Sequence, residues 1–160
     1  MGLADGMLLF ETMHGRTHPI GKLRGNVRYS DVYDYLNCLE ISPCTGWMTT
    51  NATLRAATQA RANELSATLA ELAQSEKFAH FDVHFFPNPL KEIFDEWTAQ
   101  GGEGWQLVEP IDGFHPAQDA QPLIVEHFVA WAQAKVPGLI PSRNPHNEEI
   151  EQLFGDQGGY

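Results

Sequence analysis

Apolar positions along the 160-residue chain fall into blocks whose spacing switches between helical and alternating. The first block, GMLLF at 6–10, is a short apolar run that reads as the end of a strand. The stretch from there to about Tyr29 is rich in Gly and His and reads as an exposed loop. Ser30 can cap a helix carrying Val32, Tyr35, Leu36 and Leu39 on one side. A longer helical pattern runs from Thr53 to about Gln74, where Leu54, Leu65, Leu69 and Leu72 keep roughly to a 3.6-residue period. HFDVHFF, His80 to Phe86, alternates apolar and polar positions with high β-propensity, which predicts a strand ended by Pro87 and Pro89. Leu90, Ile93, Phe94 and Trp97 mark an amphipathic helix stopped by GGEG. After a loop at EPIDGFHPAQ, Pro116 is expected to start a helix running to about Lys135, with Ala120, Ile124, Phe128 and Trp131 on one face. From about residue 136 the tail is irregular, with room for one short helix.

Strands alternating with helices predict an α/β fold with a parallel sheet covered by helices. Two strands are fewer than the roughly four to six such a sheet usually has, so the pattern predicts part of one domain over 1–160.

Composition narrows the class. A chain of this length fits one domain with a useful core, and 42% hydrophobic and 11% aromatic residues mark it as globular. The formal net charge is -11, and the ten Lys and Arg are scattered, so there is no basic stripe for nucleic acid and no charge-driven attraction to anionic lipid. No apolar run approaches the ~20 residues a bilayer crossing needs, so the chain is not expected to be transmembrane. MGLADGMLLF has no basic start, long apolar stretch or small-residue cleavage site, so the chain as written is expected to lack a signal peptide.

The loop holds the chain's best chemistry. In Asp112-Gly113-Phe114-His115 one turn of backbone lets the carboxylate accept the imidazole Nδ1–H, which fixes the tautomer and leaves Nε2 free to take a proton from a nucleophile. Pro116 stiffens the backbone at His115, and Gly113 allows the tight turn. Taken alone, a D-x-x-H is more often helix-capping chemistry in a loop ahead of a helix than catalysis. His80 and His84 would lie ~13 Å apart on a strand, too far to share a metal. His14, His18, His127 and His146 read as solvated or core-lining side chains, and no metal or cofactor is expected. Cys38 and Cys44, six apart around Ser42-Pro43, could close a disulfide or remain reduced thiols. Asn51 heads the sequon NAT and also suits a helix N-cap.

Several long stretches carry a resemblance: GLADG (2–6), HPIG (18–21), YDYLNCLEISPCTGWM (33–48), GWQLVEPIDGFHPAQ (104–118) and NPHNEEIEQLFGDQGGY (144–160). Together they are similar to the C-terminal part of the catalytic subunit in the acyloxyacyl hydrolase family of GDSL/SGNH esterases. The resemblance implies the C-terminal portion of a three-layer α/β/α sandwich with a parallel sheet. It implies that Asp112 and His115 are the triad acid and base. The implied substrate is an acylated lipid of the lipid A type, and the implied setting is secreted or lysosomal, which favours a Cys38–Cys44 disulfide. The family's Gly-Asp-Ser nucleophile block is absent: the serines are Ser30, Ser42, Ser66, Ser75 and Ser142, and the late GDQGGY offers only Gln157. The expectation is therefore a C-terminal fragment whose missing N-terminal part would supply the nucleophile. The alternative is a non-catalytic remnant acting, if at all, as a binding module.

Overall fold

The computed structural model describes residues 1–42, 44–75 and 78–155. These divide into two compact units, Met1–Phe128 and Val129–Tyr160. In chain order the helices are α1 (Gly6–Met13), α2 (Tyr29–Cys38), α3 (Ala52–Ser75), α4 (Leu90–Ala99), α5 (Ala120–Lys135) and α6 (Asn147–Phe154), with 3-10 turns at Ile20–Arg24 and Gly104–Leu107.

Among the described residues there is no strand and no sheet. Among the described residues the ladder pairings are two isolated bridges, Thr17 with Arg28 and Val108 with Pro116. The parallel-sheet α/β/α sandwich is therefore overturned, and both expected strands fail for identifiable reasons. GMLLF belongs to α1, because the Asp5 carboxylate accepts the Leu8 N–H at 3.1 Å and caps a helix there. Leu9, Phe10 and Met13 then share one buried face of that helix. Residues 81–86 carry no regular structure, and Phe81 and Val83 are exposed. Alternation makes a strand only when a neighbour supplies the other half of the hydrogen-bond ladder. Here Gly2 N–H donates to Phe86 O at 2.8 Å without building a strand.

The core of the first unit is built by α1, α2, α4 and the loop that follows. Leu9, Phe10, Met13, Tyr29, Tyr33, Met48, Leu90, Ile93, Phe94, Leu107, Val108 and Ala120 form one buried cluster. Removing this apolar surface from water, at roughly 25 cal/mol per Å², is the main force holding the unit together. Ser30 does not cap α2: the N-cap is Arg28, two residues earlier, where Asp31 accepts the Arg28 N–H at 3.0 Å. It buries Tyr29 and Tyr33, while Tyr35 and Leu39 are exposed. Helix α3 covers its expected span but buries Arg55 and Ala62, leaving Leu54, Leu65, Leu69 and Leu72 between 40% and 49% exposed. Arg55 is held in place by donating to Thr49 O at 2.6 Å and lying 3.7 Å over the Phe10 ring. Pro116 does not open α5. It pairs with Val108, and the helix starts at Ala120.

Candidate functional site

Residues 107–117 form a closed loop. Glu109 N–H donates to His115 O at 2.8 Å, Gly113 N–H to Glu109 O at 2.8 Å, and Ala117 N–H to Leu107 O at 2.9 Å. The Glu109 carboxylate turns inward and accepts the N–H groups of Ile111 and Asp112, both at 2.8 Å. Side chains from the early part of the chain hold the other flank. Tyr33 OH donates to Gly113 O at 2.9 Å, Tyr29 OH donates to Pro110 O, and His18 Nε2 lies 2.7 Å from Ile111 O. Burial raises the titration of both tyrosines, with negative neighbours adding to it, so both hydroxyls stay protonated as donors at neutral pH.

The loop presents Asp112 and His115 to one another. Asp112 Oδ2 lies 2.7 Å from His115 Nδ1, while Oδ1 accepts the N–H groups of Phe114 at 2.8 Å and His115 at 3.0 Å. Partial burial pushes the Asp112 carboxyl up. The two backbone N–H groups and the His115 imidazole together outweigh that and hold it below the usual carboxylate range. The carboxylate thus stays ionised and Nδ1 carries the proton, an assignment that follows from the hydrogen-bond network. The imidazole is 65% exposed, and no described residue hydrogen-bonds to its Nε2. The D-x-x-H spacing thus does bring the two side chains into contact.

His115 lines an apolar cavity of about 200 Å³, walled also by Leu9, Leu90, Phe114 and Ile124, with Asn88 and His115 its polar side chains. A larger cavity of about 570 Å³ is bordered by Arg16, Lys22, Tyr29, Trp105, Glu109 and Asp119, but by neither Asp112 nor His115. Size alone therefore does not mark the site; the smaller cavity is the one that His115 lines.

Other candidates separate from this centre. Among the described residues, none of the five serines hydrogen-bonds to His115; Ser66 Oγ accepts the Leu3 N–H at 2.9 Å from the middle of α3. Gln157 and Pro43 lie outside the described residues. Cys38 and Cys44 are free, so the disulfide the resemblance implied is absent. Cys38 is exposed at the end of α2, while Cys44 is half-buried against the core, so the two sulfurs occupy different environments. Asn51 Oδ1 accepts the Leu54 N–H at 3.1 Å and thereby caps α3. His80 and His84 are exposed, His127 pairs with Glu96 at 3.1 Å, and His146 with Glu149 at 3.3 Å. Among the described residues no cluster of three or more His, Cys, Asp or Glu could hold a metal, and no helix is long and apolar enough to cross a membrane.

Sequence reasoning missed His18, Tyr29, Tyr33 and Glu109 as the residues that shape the loop. The spacing of the two tyrosines, four apart, put them on one helix face and was the available signal.

A carboxylate-oriented histidine with a free Nε2 beside an apolar cavity is an acid–base unit of the kind hydrolases use. Comparison with known proteins finds similarity to acyloxyacyl hydrolases. Over 159 residues, 99% of the chain, the sequence is 46% identical to acyloxyacyl hydrolase of Homo sapiens. It is 43% identical over the same length to the acyloxyacyl hydrolases of Oryctolagus cuniculus and Mus musculus. No protein-family model matches the chain. The chain is thus similar to the acyloxyacyl hydrolases, matching their C-terminal part and spanning 28% of the length of each of these relatives.

Proposed function

We propose that this stretch supplies the base and the acid of an SGNH/GDSL-type ester hydrolase that releases fatty acyl chains from an acylated lipid of the lipid A type. The observation that carries the reading is the 2.7 Å His115–Asp112 pair, with Nε2 unengaged by described residues and His115 lining an apolar cavity. A serine contributed by a part of the enzyme outside this stretch attacks the ester carbonyl, and His115 Nε2 takes the hydroxyl proton. The same nitrogen then returns the proton to the leaving alkoxide, giving an acyl-enzyme that water hydrolyses by the reverse sequence. Asp112 holds the tautomer and stabilises the imidazolium without itself being protonated. The relatives' name supports the acyl substrate, and the apolar cavity supports it too, because a hydrocarbon chain needs a dry wall beside the reacting carbonyl. The reading carries with it a secreted or lysosomal setting. It also leaves the 160-residue chain inactive by itself, for want of a nucleophile.

The test is His115→Ala in a polypeptide spanning the full length of the relatives. Turnover of an acylated lipid should fall by roughly a millionfold, as for other triad histidines. Turnover near the parent value would remove His115 from the mechanism.

A further inference from the structure

We infer that His18, from the HPIG stretch, is a positioning residue for the Asp112–His115 pair, acting as a neutral imidazole that fixes the backbone next to Asp112. The inference rests on the function proposed above for that pair. His18 is 5% exposed, and both its ring nitrogens are engaged by backbone. The Ile20 N–H donates to Nδ1 at 3.2 Å, so Nδ1 presents a lone pair and the proton sits on Nε2. Nε2–H therefore donates to Ile111 O at 2.7 Å, across 93 residues of chain. This is the opposite tautomer to that of His115, whose Nδ1 carries the proton and whose Nε2 is left for chemistry. A second proton on His18 would have to displace the Ile20 N–H, so this ring is built to hold a position.

The ring's surroundings serve the same end. Gly21 keeps the 3-10 turn after His18 tight, since a Cβ there would meet Val27 O at 2.5 Å, and His18 N–H is tied to that same Val27 O at 3.0 Å. The imidazole meets the Tyr29 ring edge-on at a centroid distance of 4.9 Å, and Tyr29 OH in turn holds Pro110 O. With Tyr33 on Gly113 O, three donors fix the carbonyls of residues 110, 111 and 113, and so bracket Asp112 on both sides. Glu109 holds the N–H groups of residues 111 and 112 in the same loop. His18 supplies the bond immediately before the catalytic carboxylate. Losing it would free the Ile111–Asp112 peptide to shift, and a displacement of ~1 Å in such a site costs on the order of a hundredfold in rate.

The experiment uses the full-length protein with His18→Leu and His18→Gln. Leu removes the donor at similar bulk, whereas the Gln Nε2–H group can reach Ile111 O in its place. The first readout is the proton NMR signal of His115 Nδ1–H, which its carboxylate partner shifts far downfield and which His115→Ala identifies by its disappearance. The second is the split between kcat and KM on an acylated lipid. His18→Leu should lose the downfield signal and lower kcat by roughly a hundredfold with KM nearly unchanged. His18→Gln should keep the signal and recover most of kcat. A Leu variant that keeps both the signal and kcat would overturn the inference. So would a Gln variant as impaired as Leu while melting normally. If the Leu variant does not fold, the Gln variant decides: signal and turnover retained support the donor role, and their loss in a folded protein refutes it. If His115→Ala leaves turnover intact, the proposed function falls, while the NMR signal of the His18 variants still decides whether His18 positions the pair.

Discussion

The hydroxyl of Tyr33 and the carbonyl of Gly113 form a buried 2.9 Å hydrogen bond between residues 80 apart in sequence. Position 113 has φ +67°, a left-handed conformation that L side chains rarely adopt, and a Cβ there would meet the Tyr33 oxygen at 2.5 Å and the Tyr29 ring at 2.6 Å. Gly113→Ala should therefore destabilise the protein by about 2–6 kcal/mol, combining left-handed strain of ~1–3 kcal/mol with overpacking of ~1–3 kcal/mol. Urea unfolding checks this. A loss below about 1 kcal/mol would mean that the tyrosines yield more easily than their hydrogen bonds suggest.

Asp112 predicts a pH dependence of stability. Its carboxyl titrates below the ordinary 3.8 in the folded protein, because the donors around it outweigh partial burial. As pH falls through about 4, the unfolded chain takes up this proton before the folded one does. The stabilisation from Asp112 is thus complete above the unfolded value and is lost as pH drops through the lower, folded one. Unfolding free energies from pH 6 down to pH 3 should fall less steeply for Asp112→Asn than for the parent. Equal slopes would place the acid sensitivity elsewhere.

The two thiols should behave independently. Cys38 is exposed, whereas burial, reinforced by the nearby Asp112 charge, pushes the Cys44 thiol up and so lowers its thiolate fraction. Iodoacetamide added to the native protein at pH 8 without reductant should label Cys38 quickly and Cys44 slowly, as followed by peptide mass. Finding neither cysteine labelled, and both labelled after reduction, would establish a disulfide instead.

The chain's sequence made some of this structure readable and hid the rest for physical reasons. Helix α3 was readable within a residue at each end, because its alanines and leucines hold helical propensity over a long window. Helix α4 was readable down to its buried face of Leu90, Ile93 and Phe94. The Asp112–His115 contact was readable because it is local and a single turn suffices to make it. His80–Phe86 misled because alternation is a property of a strand's surface, while a strand's existence depends on a partner that no local pattern encodes. GMLLF misled because five apolar residues fit either period, and the Asp5 cap decides between them. His18 escaped notice because what gives it meaning, the Ile111 carbonyl, lies 93 residues away.

That separation has a bearing on protein engineering. The segment 107–117 looks portable, since it carries its own carboxylate, imidazole and internal hydrogen bonds. Grafted onto another scaffold, it would bring the two reactive groups but not the rings of His18, Tyr29 and Tyr33 that satisfy the carbonyls of Ile111, Pro110 and Gly113. The smallest transplantable unit is therefore two pieces, the loop together with residues 18–33, in a host that can hold them against each other.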